Sequence, residues 1–199
     1  MRNLLILTFA SVLMVSCDQE EPVQQTAAPA QQPAQGHPGP VSTTPATTSL
    51  GYELPADWTR TQPASPMRLD QATIPGEAGA GELAVFFFGP GGGGGTEANL
   101  QRWVGQITTS AEPVRESFDT NGLKVTWIDA AGTINPSPMG MGPTEPQPNS
   151  RMLAAVVEGE GGPWFFKATG PEPTMSDARD EFLEMLRNLS ISSAAPAVQ

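Results

Sequence analysis

Asn121 and Gly122 stand between two runs of residues typical of β-strands, 114–118 and 123–128. An Asn-Gly pair favours the positive φ angles of a two-residue turn whose twist matches that of paired strands. The pair therefore predicts a β-hairpin, and with it antiparallel strand pairing. Any fold proposed for this chain must contain an antiparallel sheet at this point.

Other segments also have the composition or the alternation of β-strands. A second hairpin is predicted where a turn rich in Gly and Pro separates residues 151–158 from residues 164–169. Residues 82–88 are apolar on both faces, which is typical of a central strand. Residues 51–54 and 67–74 predict two weaker strands earlier in the chain.

Two further segments repeat apolar residues at the spacing of one helix face. Thr96 is predicted to cap the first helix, and Thr174 with Asp177 resembles the capping box of the second. The expected apolar faces are Leu100, Trp103, Val104 and Ile107 in the first helix and Ala178, Phe182, Leu186 and Leu189 in the second. The order of elements is strands, a helix, four strands in two hairpins and a helix. This order predicts an α+β domain with a mainly antiparallel sheet.

The first sixteen residues have the form of a secretion signal. One basic residue precedes an apolar run at 4–15, which is shorter than the ~20 residues of a membrane-spanning helix. The chain has one cysteine, Cys17, and it follows the small residue Ser16 as in bacterial lipoprotein signals, although Met14 stands where Leu is usual. The sequence therefore predicts a signal peptide at 1–16 and acyl chains such as palmitate on Cys17.

Two alternatives stay open for Cys17, namely an unmodified cysteine in an uncleaved anchor and signal cleavage further along the chain. Lipidation would give stable membrane anchoring, because two or more acyl chains bind where one binds marginally. Asp18 resembles the signal that retains enteric lipoproteins, and slightly favours the periplasmic side of the inner membrane. A single cysteine allows no intrachain disulfide, so folding must depend on a hydrophobic core.

Composition divides the rest of the chain. Residues 18–50 hold six Pro and six Gln with almost nothing to bury, and they predict a disordered tether. His37, the only histidine, lies in this tether and is expected to be solvated. Residues 51–191 are expected to form a single α+β domain, and residues 192–199 a disordered tail.

Charge and residue types exclude several functions. The formal net charge of −11 argues against binding to DNA or RNA, which requires a basic surface. The only histidine and the only cysteine lie outside residues 51–191, so the domain lacks the common zinc ligands and the Ser-His and Cys-His nucleophile pairs. We therefore expect no enzyme activity, no metal and no cofactor, with a carboxylate pair from distant positions as the open alternative.

The glycine tract at 89–95 lies between a predicted strand and a predicted helix, as a phosphate-binding loop would. The Lys and Ser or Thr of a P-loop are absent after Gly95, where Thr96 and Glu97 stand instead. A Rossmann unit would need a parallel return strand, whereas the next strand enters a hairpin. Glu97 would also repel a phosphate at the helix N-terminus. The tract is predicted to be an exposed crossover loop.

Two groups of residues are candidates for an interaction surface. Asn99, Arg102 and Gln106 form a polar stripe on the first helix, and Arg102 lies beside an aromatic residue, as at many hot spots. The alternative is that Arg102 pairs with a carboxylate of the domain. Met139 and Met141 lie at the centre of a proline-rich loop, where thioethers suit Cu(I) and where the alternative is an exposed hairpin loop.

Several motifs in the domain resemble a family of uncharacterised bacterial envelope proteins. They are Met67-Arg68, the segment from Asn99 to Gln106 with its N-x-x-R-W-x-x-Q pattern, Arg151-Met152-Leu153-Ala154-Ala155, the W-F-F-K-x-T-G-P segment from Trp164 to Pro171, and a terminal F-L-x-x-L helix. The family implies no activity. The opening segment 52–58 and the element order resemble the PsbP fold, an α/β/α sandwich used by an extrinsic photosystem II subunit and a Ran-binding import factor.

The PsbP resemblance implies a module that binds other proteins, because the members named above mostly do so. Fold alone assigns no residue a role. The sequence therefore predicts a lipoprotein that is anchored to the membrane and presents a non-catalytic, monomeric domain to a protein partner in the bacterial envelope. A periplasmic carrier of a small ligand or of copper is the alternative.

Overall fold

The structure, a computed structural model, describes residues 48–136 and 143–193. Several predicted features lie outside these residues. They are the predicted signal peptide, the predicted lipidation site Cys17, the predicted tether as far as residue 47, the predicted tail beyond residue 193, and Met139 and Met141.

Ten strands and three helices form in the described part of the chain. In chain order they are β1 (Thr48–Gly51), β2 (Thr59–Arg60), β3 (Arg68–Ile74), β4 (Gly81–Phe87), α1 (Thr96–Val104), β5 (Ile107–Thr109), β6 (Val114–Thr120), β7 (Leu123–Ile134), β8 (Gln147–Glu158), β9 (Trp164–Pro171), α2 (Glu172–Asp177), α3 (Arg179–Arg187) and β10 (Ser190–Ser193).

Eight strands form one antiparallel sheet in the order β2-β3-β4-β9-β8-β7-β5, and β6 also pairs with β7. Both predicted hairpins are confirmed, since β6 pairs with β7 and β8 pairs with β9. Asn121 and Gly122 form the turn of the first hairpin, with φ angles of 46° and 78°. β4 lies between β3 and β9, and is the central strand that its two apolar faces predict.

Helices cover both faces of this sheet. Leu153 and Val157 of β8 belong to a cluster that includes Phe182 of α3, whereas Met152 and Val156 belong to a second cluster built around α1. Alternate residues of a strand point to opposite faces, so α1 and the pair α2 and α3 lie on opposite sides of the sheet. The α+β class with a mainly antiparallel sheet is confirmed, in an α/β/α arrangement.

The first helix differs from its prediction at both ends. Thr96 is its first residue, and Gly95 occupies the N-cap with an extended backbone and no side-chain cap. Gly105 ends the helix, because glycine is a poor helix former and a common terminator. Ile107 consequently lies in β5, where it pairs with Ile134.

The second predicted helix is divided into α2 and α3. Thr174 does not cap it, because this residue lies buried inside α2 and its hydroxyl donates a hydrogen bond to the carbonyl of Gly79 at 2.8 Å. A loop between β3 and β4 is thereby fastened to α2. Phe182 and Leu186 on α3 are buried, as the apolar spacing predicts.

The two ends of the domain pair with each other. β1 and β10 are antiparallel, with Thr48 opposite Ser193. This pairing begins three residues before the predicted domain limit at 51 and ends two residues beyond that at 191, because it joins distant parts of the chain. β1 lies against the β8–β9 turn, where a Cβ on Gly161 would approach the Cβ of Thr48 to 2.5 Å.

A buried carboxylate joins the sheet to α2 and α3. Asp129 of β7 is 3 % exposed at its side chain, and it accepts two hydrogen bonds from Arg151 at 2.6 Å and one from Arg179 at 3.0 Å. Arg151 also donates to the hydroxyl of Ser176 at 2.6 Å, and Arg179 lies over the ring of Trp127 at 5.1 Å. These bonds fix the register of both helices on the sheet.

Removing the charge of Asp129 is expected to destabilise the domain. The Asp129→Asn variant leaves two arginines without their carboxylate, and we expect the free energy of unfolding to fall by about 2–4 kcal/mol in urea denaturation. Asp119→Asn, at an exposed position of β6, is the matched control, with an expected change within about 0.5 kcal/mol. Equal effects of the two variants would contradict this role for Asp129.

Candidate functional site

The α1 side of the sheet is only partly covered, because α1 is short. The helix has nine residues and a length of about 13 Å, whereas β8 has twelve residues and spans about 40 Å. α1 packs on Val156 and Phe165, and no helix within the described part of the chain covers the other end of this face, toward Ser150. A groove of about 1060 Å³ occupies that end.

The floor of the groove is formed by β4 and β9. Ala84 and Phe86 of β4 and Lys167 and Thr169 of β9 line it, and Arg68 of β3 lines one side. Because Lys167 pairs with Ala84 across the two strands, the lysine lies at the middle of the floor.

Prolines are frequent along the far end of the groove. The lining prolines are Pro143, Pro146, Pro148, Pro171 and Pro173. Proline has no backbone N–H, so these positions offer a ligand carbonyl groups and flat rings but no ladder of backbone donors.

Lys167 is mostly buried, and it makes one hydrogen bond within the described part of the chain. Its Nζ donates to Oε1 of Gln106 at 2.5 Å. Burial, followed by the positive charges of Arg102 and Arg68, lowers the pKa of Lys167 to about 8, and the carboxylate of Glu82 opposes this shift. An ammonium has three N–H donors, and the residues described here use one of them.

Arg68 is the one groove cation that has a carboxylate partner. It donates to Glu82 Oε1 at 2.7 Å and to Gln71 Oε1 at 2.7 Å, and Gln71 also donates to Glu82 Oε2 at 2.9 Å. β3 and β4 are thus cross-linked beside the groove. No salt bridge to Lys167 or to Arg102 occurs among residues 48–136 and 143–193.

The three polar residues predicted on α1 have different positions. Asn99 was predicted on an accessible surface, but it is only 1 % exposed. Its Nδ2 donates to the carbonyls of Gly93 at 3.0 Å and Gly95 at 2.9 Å. Arg102 is exposed and donates to Oδ1 of Asn99. Gln106 follows the helix and binds Lys167.

The glycine tract serves the packing of α1. Gly93 has a φ of 78°, and a Cβ there would lie 2.5 Å from the ring of Phe165 and 2.7 Å from that of Phe88. Glu97, in the first turn of the helix, forms a salt bridge with Arg115 at 2.7 Å. The close approach of the loop to the sheet explains the need for glycine without a bound phosphate.

Lys167 is the groove residue that the analysis of the sequence missed. Lys167 and Arg68 enter the sequence prediction only as members of motifs, whereas Gln106 is predicted as part of the polar stripe on the first helix. The structure brings these three residues together. A usable signal exists, because a lysine within an otherwise apolar central strand is unusual. Met139 and Met141 lie outside the described residues, although Ile134 and Pro143 on either side of them line the groove.

Two kinds of feature are absent from the described residues. They contain no group of three or more His, Cys, Asp or Glu side chains placed to hold a metal ion. Among the helices at 48–136 and 143–193, none has the length and apolar character needed to cross a membrane.

Comparison with known proteins does not assign a family. No protein-family model matches the sequence, and no curated protein matches it. The chain is similar to the crystal structure of LpqN, which is described as involved in cell envelope biogenesis of Mycobacterium tuberculosis. The TM-score is 0.48 at 9 % identity, over 74 % of this chain and 86 % of LpqN, and so distant a likeness carries no argument about function. The resemblance to envelope proteins and to the PsbP fold stays a prediction.

Gly93→Ala is expected to lower stability, because it combines a strained φ with a clash against Phe165. We expect a loss of about 1–3 kcal/mol in chemical denaturation. Gly95→Ala is the matched control, since its φ is −73° and no atom lies within 4 Å of the added Cβ. That variant is expected to change stability by less than ~1 kcal/mol. A similar loss in both would show that tract flexibility, rather than packing at Gly93, matters.

Lys167→Met is expected to stabilise the domain at pH 7, because it removes a buried charge. The expected gain is about 1–3 kcal/mol in the free energy of unfolding. The pKa of Lys167 is about 8 in the folded protein against an ordinary 10.5, so the folded state loses its proton first as the pH rises. Between pH 8 and 10.5 the free energy of unfolding of the wild type therefore rises relative to that of Lys167→Met. The variant's advantage in stability becomes smaller over this range.

Lys124→Met provides the control for this pH dependence, since Lys124 is the only other lysine and lies exposed on β7. Denaturant unfolding at pH 7 and at pH 10 measures both variants. A stability difference between wild type and Lys167→Met that stays constant over this range would contradict the buried-charge explanation.

Proposed function

We propose that this protein is a lipoprotein anchored to the membrane in the bacterial envelope, where its domain binds a protein partner without catalysing a reaction. The observation that carries the proposal is the groove on the partly covered face of the sheet, with Lys167 at its floor. A sheet face that its own helix leaves uncovered is a surface on which another chain can pack.

Two exposed apolar residues flank Arg68 in the sequence. Met67 and Leu69 are 46 % and 55 % exposed, although neither lines the groove. Methionine and leucine next to an arginine give the mixture of apolar contact and hydrogen-bonding capacity that protein interfaces use, which supports a protein partner on this part of the domain.

The chemistry of the groove supports binding rather than catalysis. Its one charged pair, Arg68 with Glu82, is satisfied internally, and the domain has no histidine or cysteine to act as base or nucleophile. Anchoring rests on the signal-like first sixteen residues and on Cys17. Within this proposal, Asp18 slightly favours the inner membrane as the membrane that holds the protein.

A carrier of a small ligand is the second candidate. The groove volume of about 1060 Å³ is close to the upper limit of ordinary ligand pockets. This candidate requires a compound that fills the groove of the isolated protein and raises its melting temperature without any partner.

The test is crosslinking in cells that express the tagged full-length protein, followed by gentle solubilisation and mass spectrometry. Thr169→Trp places a large ring in the groove, and Ser117→Trp makes the same addition on exposed β6 as its matched control. We expect one stoichiometric partner that Thr169→Trp weakens by at least ~10-fold and Ser117→Trp leaves unchanged. Cys17→Ser is expected to release the protein from the membrane.

The result that would overturn the proposal is the absence of any partner that depends on the groove. Retention of the same partner by Thr169→Trp, with the variant folded by circular dichroism, would place the interface elsewhere. A preparation with no partner, together with a thermal shift by one compound, would support the carrier.

A further inference from the structure

The cations of the domain divide into those that have a carboxylate and those that do not. Five arginines of the described residues form salt bridges, namely Arg60, Arg68, Arg115, Arg151 and Arg179. Within the same residues Arg102, Lys124, Lys167 and Arg187 form none. Arg102 lies four residues before Gln106, whose side chain accepts a hydrogen bond from Lys167, and the positive charge of Arg102 lowers the pKa of this lysine. Two of the four cations therefore lie near each other.

Acidic residues are not scarce in this protein. The chain has 21 Asp and Glu against 10 Lys and Arg, so the supply of carboxylates does not explain why, among residues 48–136 and 143–193, Lys167 has only an amide oxygen as its hydrogen-bond partner. A buried ammonium without a counter-ion is costly, and such groups are usually paired. The missing anion therefore points to a ligand.

We propose that an extended segment of the protein partner lies in the groove and that a carboxylate of this segment binds the ammonium of Lys167. This inference rests on the proposed function. Arg102 adds a second positive charge nearby, and its guanidinium is exposed.

The prolines at the far end of the groove explain why a side chain must anchor the segment. Pro143, Pro146 and Pro148 cannot donate backbone hydrogen bonds, so the partner cannot be held at this end by adding a strand to a regular ladder. Among the side-chain donors that line the groove, Lys167 lies at the centre of the floor. A charged hydrogen bond there is the strongest single contact that the groove offers.

Glu82 pairs with Arg68 rather than with Lys167. Its side chain lines the groove and forms a salt bridge with Arg68 at 2.7 Å. The positive charges of Lys167 and Arg102 are therefore left for the partner, and a carboxylate of the segment neutralises the charge on Lys167. Free phosphate shares this attraction, and the experiment therefore includes it as a competing probe.

The experiment uses the two lysines as reporters. The full chain with Cys17→Ser is produced with lysine labelled by ¹³C at the ε carbon, which gives one NMR signal for Lys167 and one for Lys124. The probes are the blocked peptide acetyl-Ala-Pro-Glu-Pro-Ala-amide, the same peptide with Gln in place of Glu, and inorganic phosphate. Lys167→Met and Lys124→Met serve as the binding-site variant and its control.

The Glu peptide is expected to shift the Lys167 signal saturably, with an affinity at least ~10-fold higher than that of the Gln peptide, and to leave Lys124 unmoved. Bound carboxylate is also expected to raise the pKa of Lys167 from about 8, as followed by the same signal. Lys167→Met should bind both peptides equally, and Lys124→Met should behave as the parent.

Several results would overturn the inference. If the parent protein bound the Glu and Gln peptides with equal affinity, a carboxylate contact with Lys167 would be refuted. A Lys167 signal that does not move on addition of the Glu peptide would refute it as well. Phosphate that binds at Lys167 more tightly than the Glu peptide would replace the carboxylate by a phosphate ligand.

The inference and the proposed function can fail separately. A partner that Thr169→Trp releases and Lys167→Met retains would uphold the function and refute the carboxylate contact. A saturable Glu-peptide shift at Lys167, with no partner in crosslinking, would refute the protein partner and leave a site for a small carboxylate.

Discussion

The difference in length between α1 and the strands beneath it decides the form of the molecule. Long central strands need cover on both faces, because their residues are apolar on both. α2 and α3 supply that cover on one face, whereas α1 ends at Gly105 after nine residues and covers only part of the other. The groove occupies the part of this face that the nine-residue helix does not cover, because β8 beneath it has twelve residues.

Lys167 is the residue for which stability and binding are in opposition. A methionine of similar length would fill the same space on the floor without a desolvated charge, so folding alone gives no reason for a lysine there. Gln106 satisfies one donor and fixes the direction of the side chain. Where a local rule of folding is broken without compensation inside the chain, the compensation is expected from a ligand.

The parts of this fold that depend on neighbouring residues were predictable. The Asn121-Gly122 turn, the two hairpins and the apolar strand β4 each follow from a short stretch of sequence. Helix ends were less predictable, since Gly95, Thr96 and Gly105 each suit more than one cap position. The buried stripe of α1 was nevertheless identified through Leu100 and Trp103.

The site was harder to predict, because it depends on strand order. Arg68, Gln106 and Lys167 are far apart in sequence, and they meet only because β9 inserts between β4 and β8 and α1 crosses to the far edge of the sheet. The pairing of β1 with β10 is long-range in the same way. No local pattern encodes these contacts, so spacing along the chain gives no access to them.

The contact of Thr48 with Gly161 places the start of the described chain at one end of β8 and β9. The chain enters the domain at the β8–β9 turn, whereas the groove lies at the other end of the same two strands, near Ser150 and Pro171. About seven residue steps along β8, roughly 25 Å, separate them. A molecule bound in the groove would therefore lie at the opposite end of these strands from the point where the described chain begins, and it would not contact the β1–β10 pair.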